Sequence, residues 1–75
     1  MSDATQLPDT VGTALPREMA RVRDELMPLY REIGAPGLFA LGLMRIDLDK
    51  AAKALAEGDV VEMIRCYNAL KGYTE

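Results

Sequence analysis

The chain has 75 residues, of which 49% are hydrophobic and 28% charged, with a formal net charge of −3 at pH 7. This profile is typical of one small folded domain, and it lacks the excess of Lys and Arg on which nonspecific nucleic-acid binding depends. Because the sequence has no histidine and a single cysteine, Cys66, it excludes an internal disulfide and disfavours a structural zinc site. We therefore expect self-association to stabilise so short a fold.

Residues 1–14 are rich in turn-forming residues and lack a period that would bury one face, so we predict a flexible N-terminal arm followed by a helical domain over residues 15–75. The start of the chain lacks the basic and apolar segments of a secretory signal. The longest uncharged apolar run, residues 38–44, is far shorter than the ~20 residues of a membrane span. We therefore expect no membrane contact and a location in the cytosol.

The first helix is predicted to begin near Pro16, with Thr13 as its side-chain cap, because proline suits the first turn of a helix. Apolar residues with three- and four-residue spacing predict a seam that packs against another helix. These residues are Met19, Val22, Leu26, Leu29, Tyr30 and Ile33. Pro28 interrupts this helix and removes the hydrogen bond to the carbonyl of Asp24, so we expect a bend on the solvent-facing side.

A tight Gly-Ala-Pro-Gly turn at residues 34–37 links the first helix to a central helix that runs to about Glu57, which predicts an antiparallel pair. One apolar stripe of the central helix is the predicted core. It consists of Leu41, Met44, Leu48, Ala51, Ala52 and Leu55. Asp49 stands four residues before Lys53, the spacing of an ordinary surface ion pair.

A third helix is predicted after Gly58, because Asp59 and Glu62 have the spacing of a capping box, and Gly72 is expected to end it. Its predicted inner face consists of Val60, Met63, Ile64, Tyr67 and Leu70. The three segments together predict an all-α fold, a compact three-helix unit made of an antiparallel helical hairpin and a shorter third helix.

The residue types that carry chemistry predict no catalytic residue, no metal site and no cofactor. Without histidine, Cys66 has no imidazole base, and we expect it to act as a small hydrophobe at the edge of the third helix. The Asp-Leu-Asp triplet at residues 47–49 resembles the start of a calcium-binding loop. However, Ala52 and Gly58 stand where that loop requires Gly and Glu. We therefore do not expect an enzyme.

A helix-turn-helix over residues 50–70 is an alternative, because Ala54, Gly58 and Ile64 match the small residue, the turn glycine and the buried aliphatic residue of that motif. Other core positions of the motif would be occupied by charged side chains. The second helix would also offer few cations for phosphate contacts. The sequence therefore favours binding to protein over binding to DNA.

The central helix carries a second apolar line, Phe39, Leu43 and Ile46, on roughly the opposite side from its predicted core stripe. In one interpretation the third helix, or the arm around Leu7 and Val11, covers these residues within a monomer. In the other, which we favour, they meet the same residues of a second copy across a twofold axis. Gly42 would then allow close approach of the backbones, and Arg45 at the rim could pair with Asp49 of the partner subunit. The predicted interface is therefore Phe39, Gly42, Leu43, Arg45 and Ile46.

Two segments, IGAPGLFALGLMR at residues 33–45 and DLDKAAKALAEGDVVEMI at residues 47–64, resemble small hypothetical accessory proteins of bacteriophages and prophages of Gram-negative bacteria. The resemblance extends over residues 19–73 and identifies no site residues. It implies a protein that acts in the host cytosol by binding one host protein, such as a defence complex, a transcription regulator or a motility ATPase.

The resulting prediction is a non-enzymatic protein-binding module, a phage-encoded dimeric inhibitor or modulator of a host protein. Two alternatives stand beside it. One is a small DNA-binding transcription regulator that uses the helix-turn-helix at residues 50–70. The other is a minor structural component of a phage particle.

Overall fold

The computed structural model describes residues 10–74 and contains three helices, with no strand in that range. Helix α1 comprises an α-helical segment Val11–Arg21, a π-helical segment Val22–Leu26 and a second α-helical segment Met27–Ile33. Helix α2 spans Ala35–Glu57, and helix α3 spans Val60–Lys71. The first segment of α1 packs against α3, its last segment packs against α2, and α2 also packs against α3. The predicted all-α, three-helix fold is confirmed.

Helix α1 begins at Val11 and not near Pro16, which lies inside the helix. The reason is burial: Leu15, which the sequence placed outside the packed seam, is fully buried. The prediction that Thr13 caps this helix is wrong. The N-cap is Thr10, which makes no side-chain capping bond, although the two threonine hydroxyls lie 3.2 Å apart.

The predicted N-terminal arm, residues 1–14, therefore overlaps α1 over residues 11–14. The remainder of the predicted arm, residues 1–9, lies outside the described residues.

The π-helical segment of α1 changes which residues face the core. The backbone N–H of Met27 donates to the carbonyl of Val22, five residues earlier, instead of four. This wider turn rotates the following residues by about 100°, or one position. As a result Met27 is buried, whereas Leu29 and Ile33, both predicted to lie in the seam, are 40% and 57% exposed. Pro28 lies two residues after the end of this segment, so the disturbance predicted there takes the form of a π-helical turn.

The core is formed by buried apolar residues of all three helices. They are Leu15, Val22, Leu26, Met27, Leu41, Met44, Ala51, Ala54, Met63, Cys66 and Leu70. In α2, the predicted stripe is confirmed for Leu41, Met44 and Ala51. Ala52 is exposed and Ala54 is buried in its place, because α3 turns back along that flank and the Asp59 N–H donates to the Ala54 carbonyl at 3.0 Å.

Two glycines set the geometry at the ends of α2. A Cβ atom on Gly37 would lie only 2.1 Å from the carbonyl oxygen of Tyr30, so this glycine permits close contact between α2 and α1. Gly58 ends α2, as predicted, and adopts the left-handed conformation with φ 68°. The carboxylate of Asp59 then accepts the Glu62 N–H at 3.1 Å, which confirms the predicted N-cap of α3.

The inner face of α3 is rotated from the predicted one. Met63, Cys66 and Leu70 are buried, so Cys66 lies within the core and not at its edge. Val60 and Ile64, which were predicted to face inward, are 54% and 47% exposed. The reason is that α3 contacts both α2 and the first segment of α1, and these two neighbours lie on the side that carries Cys66.

The residues after α3 are held against the other two helices. Arg21 of α1 donates to the carbonyls of Leu70 and Tyr73 at 3.0 and 3.1 Å. The Tyr73 hydroxyl donates to the carboxylate of Asp47 on α2 at 2.7 Å. Burial and this hydrogen bond raise the pKa of Tyr73 to about 12. The C-terminal segment therefore forms a clasp across α1 and α2.

Candidate protein-interaction surface

Helix α2 exposes a broad apolar face on the side opposite its buried stripe. Phe39 is 77% exposed, Ile46 is 51% exposed and Leu43 is 41% exposed. Leu38, which the sequence did not assign to this surface, is 64% exposed beside them. We call this surface the α2 outer face. It comprises Ala35, Leu38, Phe39, Gly42, Leu43, Arg45 and Ile46.

The centre of the α2 outer face follows the spacing of a helix-pairing stripe. Ala35, Phe39, Gly42 and Ile46 are separated by four, three and four residues, and the same spacing continues to Asp49 and Lys53. The stripe is thus apolar in the first half of α2 and charged in the second. Within the described part of the chain, the ion pair predicted between Asp49 and Lys53 does not form.

Gly42 lies in the middle of this face, and no contact within the described chain requires a glycine at this position. A Cβ atom added to Gly42 would meet nothing within 4 Å, in contrast to one on Gly37. Since glycine weakens a helix interior relative to alanine, the fold of one chain gives no reason for glycine at position 42. The backbone of α2 is therefore accessible at the centre of the α2 outer face.

The third helix does not cover the α2 outer face, so this form of the monomer interpretation is wrong. Helix α3 contacts α2 on the side of Ala54 and Cys66, away from Phe39. Val11, part of the predicted arm, lines a separate groove of about 250 Å³ together with Ala14, Ile64 and Tyr67. Leu7 lies outside the described residues.

A polar cleft of about 330 Å³ separates α2 from α3. Its walls are Asp47, Lys50, Glu62, Arg65, Cys66 and Ala69. Burial, followed by the negative charge of Glu62, raises the pKa of the Cys66 thiol, which favours the protonated and less nucleophilic form. Because acidic and basic side chains alternate around the cleft, it offers neither a concentrated charge nor an activated nucleophile.

The helix-turn-helix alternative receives mixed support from the geometry. Ala54 is buried and Gly58 is left-handed, as the motif requires. Ile64, however, is 47% exposed, although the motif needs a buried aliphatic residue there. The segment therefore shares the turn of the motif without its internal packing.

The described residues contain neither a metal-binding cluster nor a membrane-spanning helix. Over residues 10–74, no three His, Cys, Asp or Glu side chains are grouped so that they could hold a metal ion. In the same range, none of the helices has the length and apolarity to span a membrane.

Comparisons with family models, with curated proteins and with solved structures found no match to this chain. The function must consequently be inferred from the chemistry of the surfaces of this chain. Sequence periodicity located Phe39, Leu43 and Ile46, whereas the exposure of Leu38 and Val61 had no clear signal, since each is one position away from an expected stripe.

Proposed function

We propose that the protein is a small, non-enzymatic protein-binding module, a phage-encoded dimeric inhibitor or modulator of a host protein that acts in the host cytosol. The observation that carries this proposal is the α2 outer face, with Phe39 77% exposed at its centre. Contiguous exposed apolar surfaces on small proteins usually mark interaction sites. The phage setting is supported by the sequence resemblance alone.

Energetics favour an occupied α2 outer face. Complete burial of a Leu, Ile or Phe side chain contributes about 1.5–3 kcal/mol. Phe39, Leu43 and Ile46 are largely exposed, so burial against another protein would still contribute a large part of this free energy for each of them. The only charged member of the face is Arg45, whose long side chain can extend to the rim. Association with another protein would therefore remove apolar area from water without burying an unpaired carboxylate.

A second apolar surface is available for a host partner if α2 serves the dimer. Val60, Val61 and Ile64 are about half exposed or more on α3, next to the turn at Gly58. Ile64 also lines the groove that contains Val11. A dimer paired through α2 would thus present two copies of this α3 surface, which suits a protein that works by occupying a host surface.

The test is capture of a host protein with surface-directed variants. A tagged dimer is incubated with host lysate, and bound proteins are quantified by mass spectrometry. We expect a stoichiometric host protein that is retained by Lys53→Glu and lost with Val61→Glu, since Val61 is 61% exposed and its substitution leaves the core intact. Failure to recover any stoichiometric protein, or equal recovery with both variants, would contradict the host-partner proposal.

The DNA-binding alternative makes a different prediction. It requires a mobility shift that weakens steeply with salt and disappears in Arg65→Glu, because phosphate contacts depend on cations. Arg65 is exposed and lies 3.5 Å from Glu62, which already offsets its charge. We therefore expect no salt-sensitive shift at physiological ionic strength.

A further inference from the structure

We propose that two copies of this chain pair through antiparallel α2 helices, in a register that places Phe39 opposite the partner's Gly42 and Ala35 opposite the partner's Ile46. This inference rests on the proposed function, because it treats the α2 outer face as an interaction surface. It adds the identity of the occupant, a second copy, and the residue register of the contact.

The small and large residues of the α2 stripe are sterically complementary in an antiparallel pair. In an antiparallel pair with heptad spacing, residues of the two central positions face each other in layers. The α2 stripe alternates small and large residues in the order Ala35, Phe39, Gly42, Ile46. Antiparallel alignment about the midpoint of this stretch puts a large residue against a small one in every layer. Gly42, which has open space around its Cα, would accept the Phe39 ring of the partner subunit.

The charged residues in the second half of α2 select the register of the pair. A shift by one step toward the C-terminus would place Phe39 opposite the partner's Asp49 and Ala35 opposite the partner's Lys53. Those layers would bury charges that have no partner. A shift in the other direction would leave Ile46 beyond the start of the partner's helix. Only the proposed register makes all four layers apolar and keeps the charged half of α2 outside the contact.

At the ends of the contact, the positive N-terminal end of α2 complements the negative charge of the partner's Asp49. Helix α2 begins without an acidic residue in its first turn and without a side-chain cap at Gly34. In the proposed register, the partner's Asp49 lies three positions beyond Ala35, about 4.5 Å along the axis, next to this uncapped terminus. A carboxylate is favoured at that end of a helix. Asp49 forms no hydrogen bond or ion pair within the described chain, so it is available for this contact.

The flanks of the stripe extend the apolar contact. Leu38, 64% exposed, would lie along the aliphatic part of the partner's Arg45, and Leu43 would lie beside the partner's Pro36. The apolar contact involves only the first half of α2 in each chain, and small interfaces are typical of weak association. We therefore expect a dissociation constant in the micromolar range and not the nanomolar one.

The first test uses Gly42→Leu and sedimentation equilibrium across a concentration series. In the monomer, a Cβ atom at position 42 has no neighbour within 4 Å and leucine is the better helix former, so helical content measured by circular dichroism should be retained. In the dimer it would collide with the partner's Phe39, and we expect the dissociation constant to rise at least tenfold. Ala56→Leu is the matched control, because Ala56 is exposed on α2 outside the proposed contact and should leave dimerisation unchanged. A wild-type protein that remains monomeric at hundreds of micromolar, or unaltered dimerisation of Gly42→Leu, would overturn the proposal.

The second test determines the register by disulfide formation in a Cys66→Ala background. Mixing Ala35→Cys with Ile46→Cys should give a heterodimeric disulfide, whereas mixing Ala35→Cys with Lys53→Cys should not. A crosslink in the Lys53 mixture alone would show the shifted register. A crosslink of Ile46→Cys with itself in preference to the Ala35 mixture would show parallel pairing. Either result would refute the proposed contact.

These outcomes are separate from those of the host-capture experiment. A monomer that still captures a host protein through Val61 overturns the pairing and leaves the binding function standing. A dimer with the expected crosslink that captures nothing leaves the pairing intact and removes the proposed host partner.

Discussion

In the first half of helix α2, the inner and outer sides carry similar apolar residues but differ in how far these residues are buried. On the inner side Leu41 and Met44 are almost completely buried, whereas on the outer side Phe39 and Ile46 are more than half exposed. The glycines repeat the contrast, since Gly37 is in close contact with α1 and Gly42 has open space. A helix that is apolar on both sides needs two partners, and the chain supplies one of them. The described chain thus buries only the inner side of α2, and under the proposed function the outer side serves association.

Paired alanine substitutions give the largest expected contrast between the two faces. Met44→Ala removes a fully buried side chain and should lower the free energy of unfolding by about 2–5 kcal/mol. Ile46→Ala should change it by less than about 0.5 kcal/mol in dilute protein, because this side chain faces solvent in the monomer. Urea denaturation at two protein concentrations is the measurement. An Ile46→Ala effect as large as that of Met44→Ala in dilute protein would contradict the division between the faces.

The two glycines provide a second contrast, in which the sign of the effect should differ. Gly37→Ala brings a methyl group against the Tyr30 carbonyl and should destabilise the protein by about 1–3 kcal/mol. Gly42→Ala should stabilise the monomer by up to about 1 kcal/mol, because alanine is the better helix former. Thermal unfolding of both variants in dilute protein checks this. Stabilisation by both substitutions would mean that the contact at Gly37 is not tight.

The clasp at the edge of the inner face should respond to alkaline pH. Burial in the folded protein raises the pKa of Tyr73 to about 12 from its ordinary value of 10.0, so the neutral phenol is favoured by folding. Its contribution to stability is therefore complete below pH 10 and is lost as the pH rises through about 12. Tyr73→Phe should flatten this part of the stability profile, measured by denaturant midpoints across the range. Tyr67→Phe is the control, because its hydroxyl forms no hydrogen bond in the described part of the chain and its loss should leave the profile unchanged.

The smallest effect concerns Cys66, which lies against the inner side of α2. Burial and the charge of Glu62 raise the pKa of its thiol, so labelling by a thiol reagent at mildly alkaline pH should be slow in the folded protein. A Val61→Cys variant in a Cys66→Ala background should react rapidly, because position 61 is exposed. Comparable labelling rates at both positions would indicate that the contact of α3 with α2 opens readily.

The sequence predicted the three helices and the two faces of α2 because both depend on the regular helical period. It did not predict the π-helical segment, which rotates Leu29 and Ile33 out of the expected seam. Pro28 was the one signal of a disturbance, but a proline indicates a missing donor and not the type of turn that accommodates it. The contacts of Arg21 were also missed, because they join residues 49 and 52 positions apart along the chain. The exposure of the α2 outer face was expected, and its occupant stays a prediction.

The clasp made by Arg21 and Tyr73 also constrains the order of folding during synthesis. Arg21 leaves the ribosome early, yet the carbonyls that it binds belong to Leu70 and Tyr73. Likewise, the hydrogen bond to Asp47 cannot form until Tyr73 has emerged, because the Tyr73 hydroxyl is its donor. A nascent chain that contains only α1 and α2 would therefore lack the cover that α3 gives to α2, and buried residues such as Ala54 would be accessible to chaperones together with Phe39. Emergence of α3 and of Tyr73 would then complete the core and leave the α2 outer face exposed.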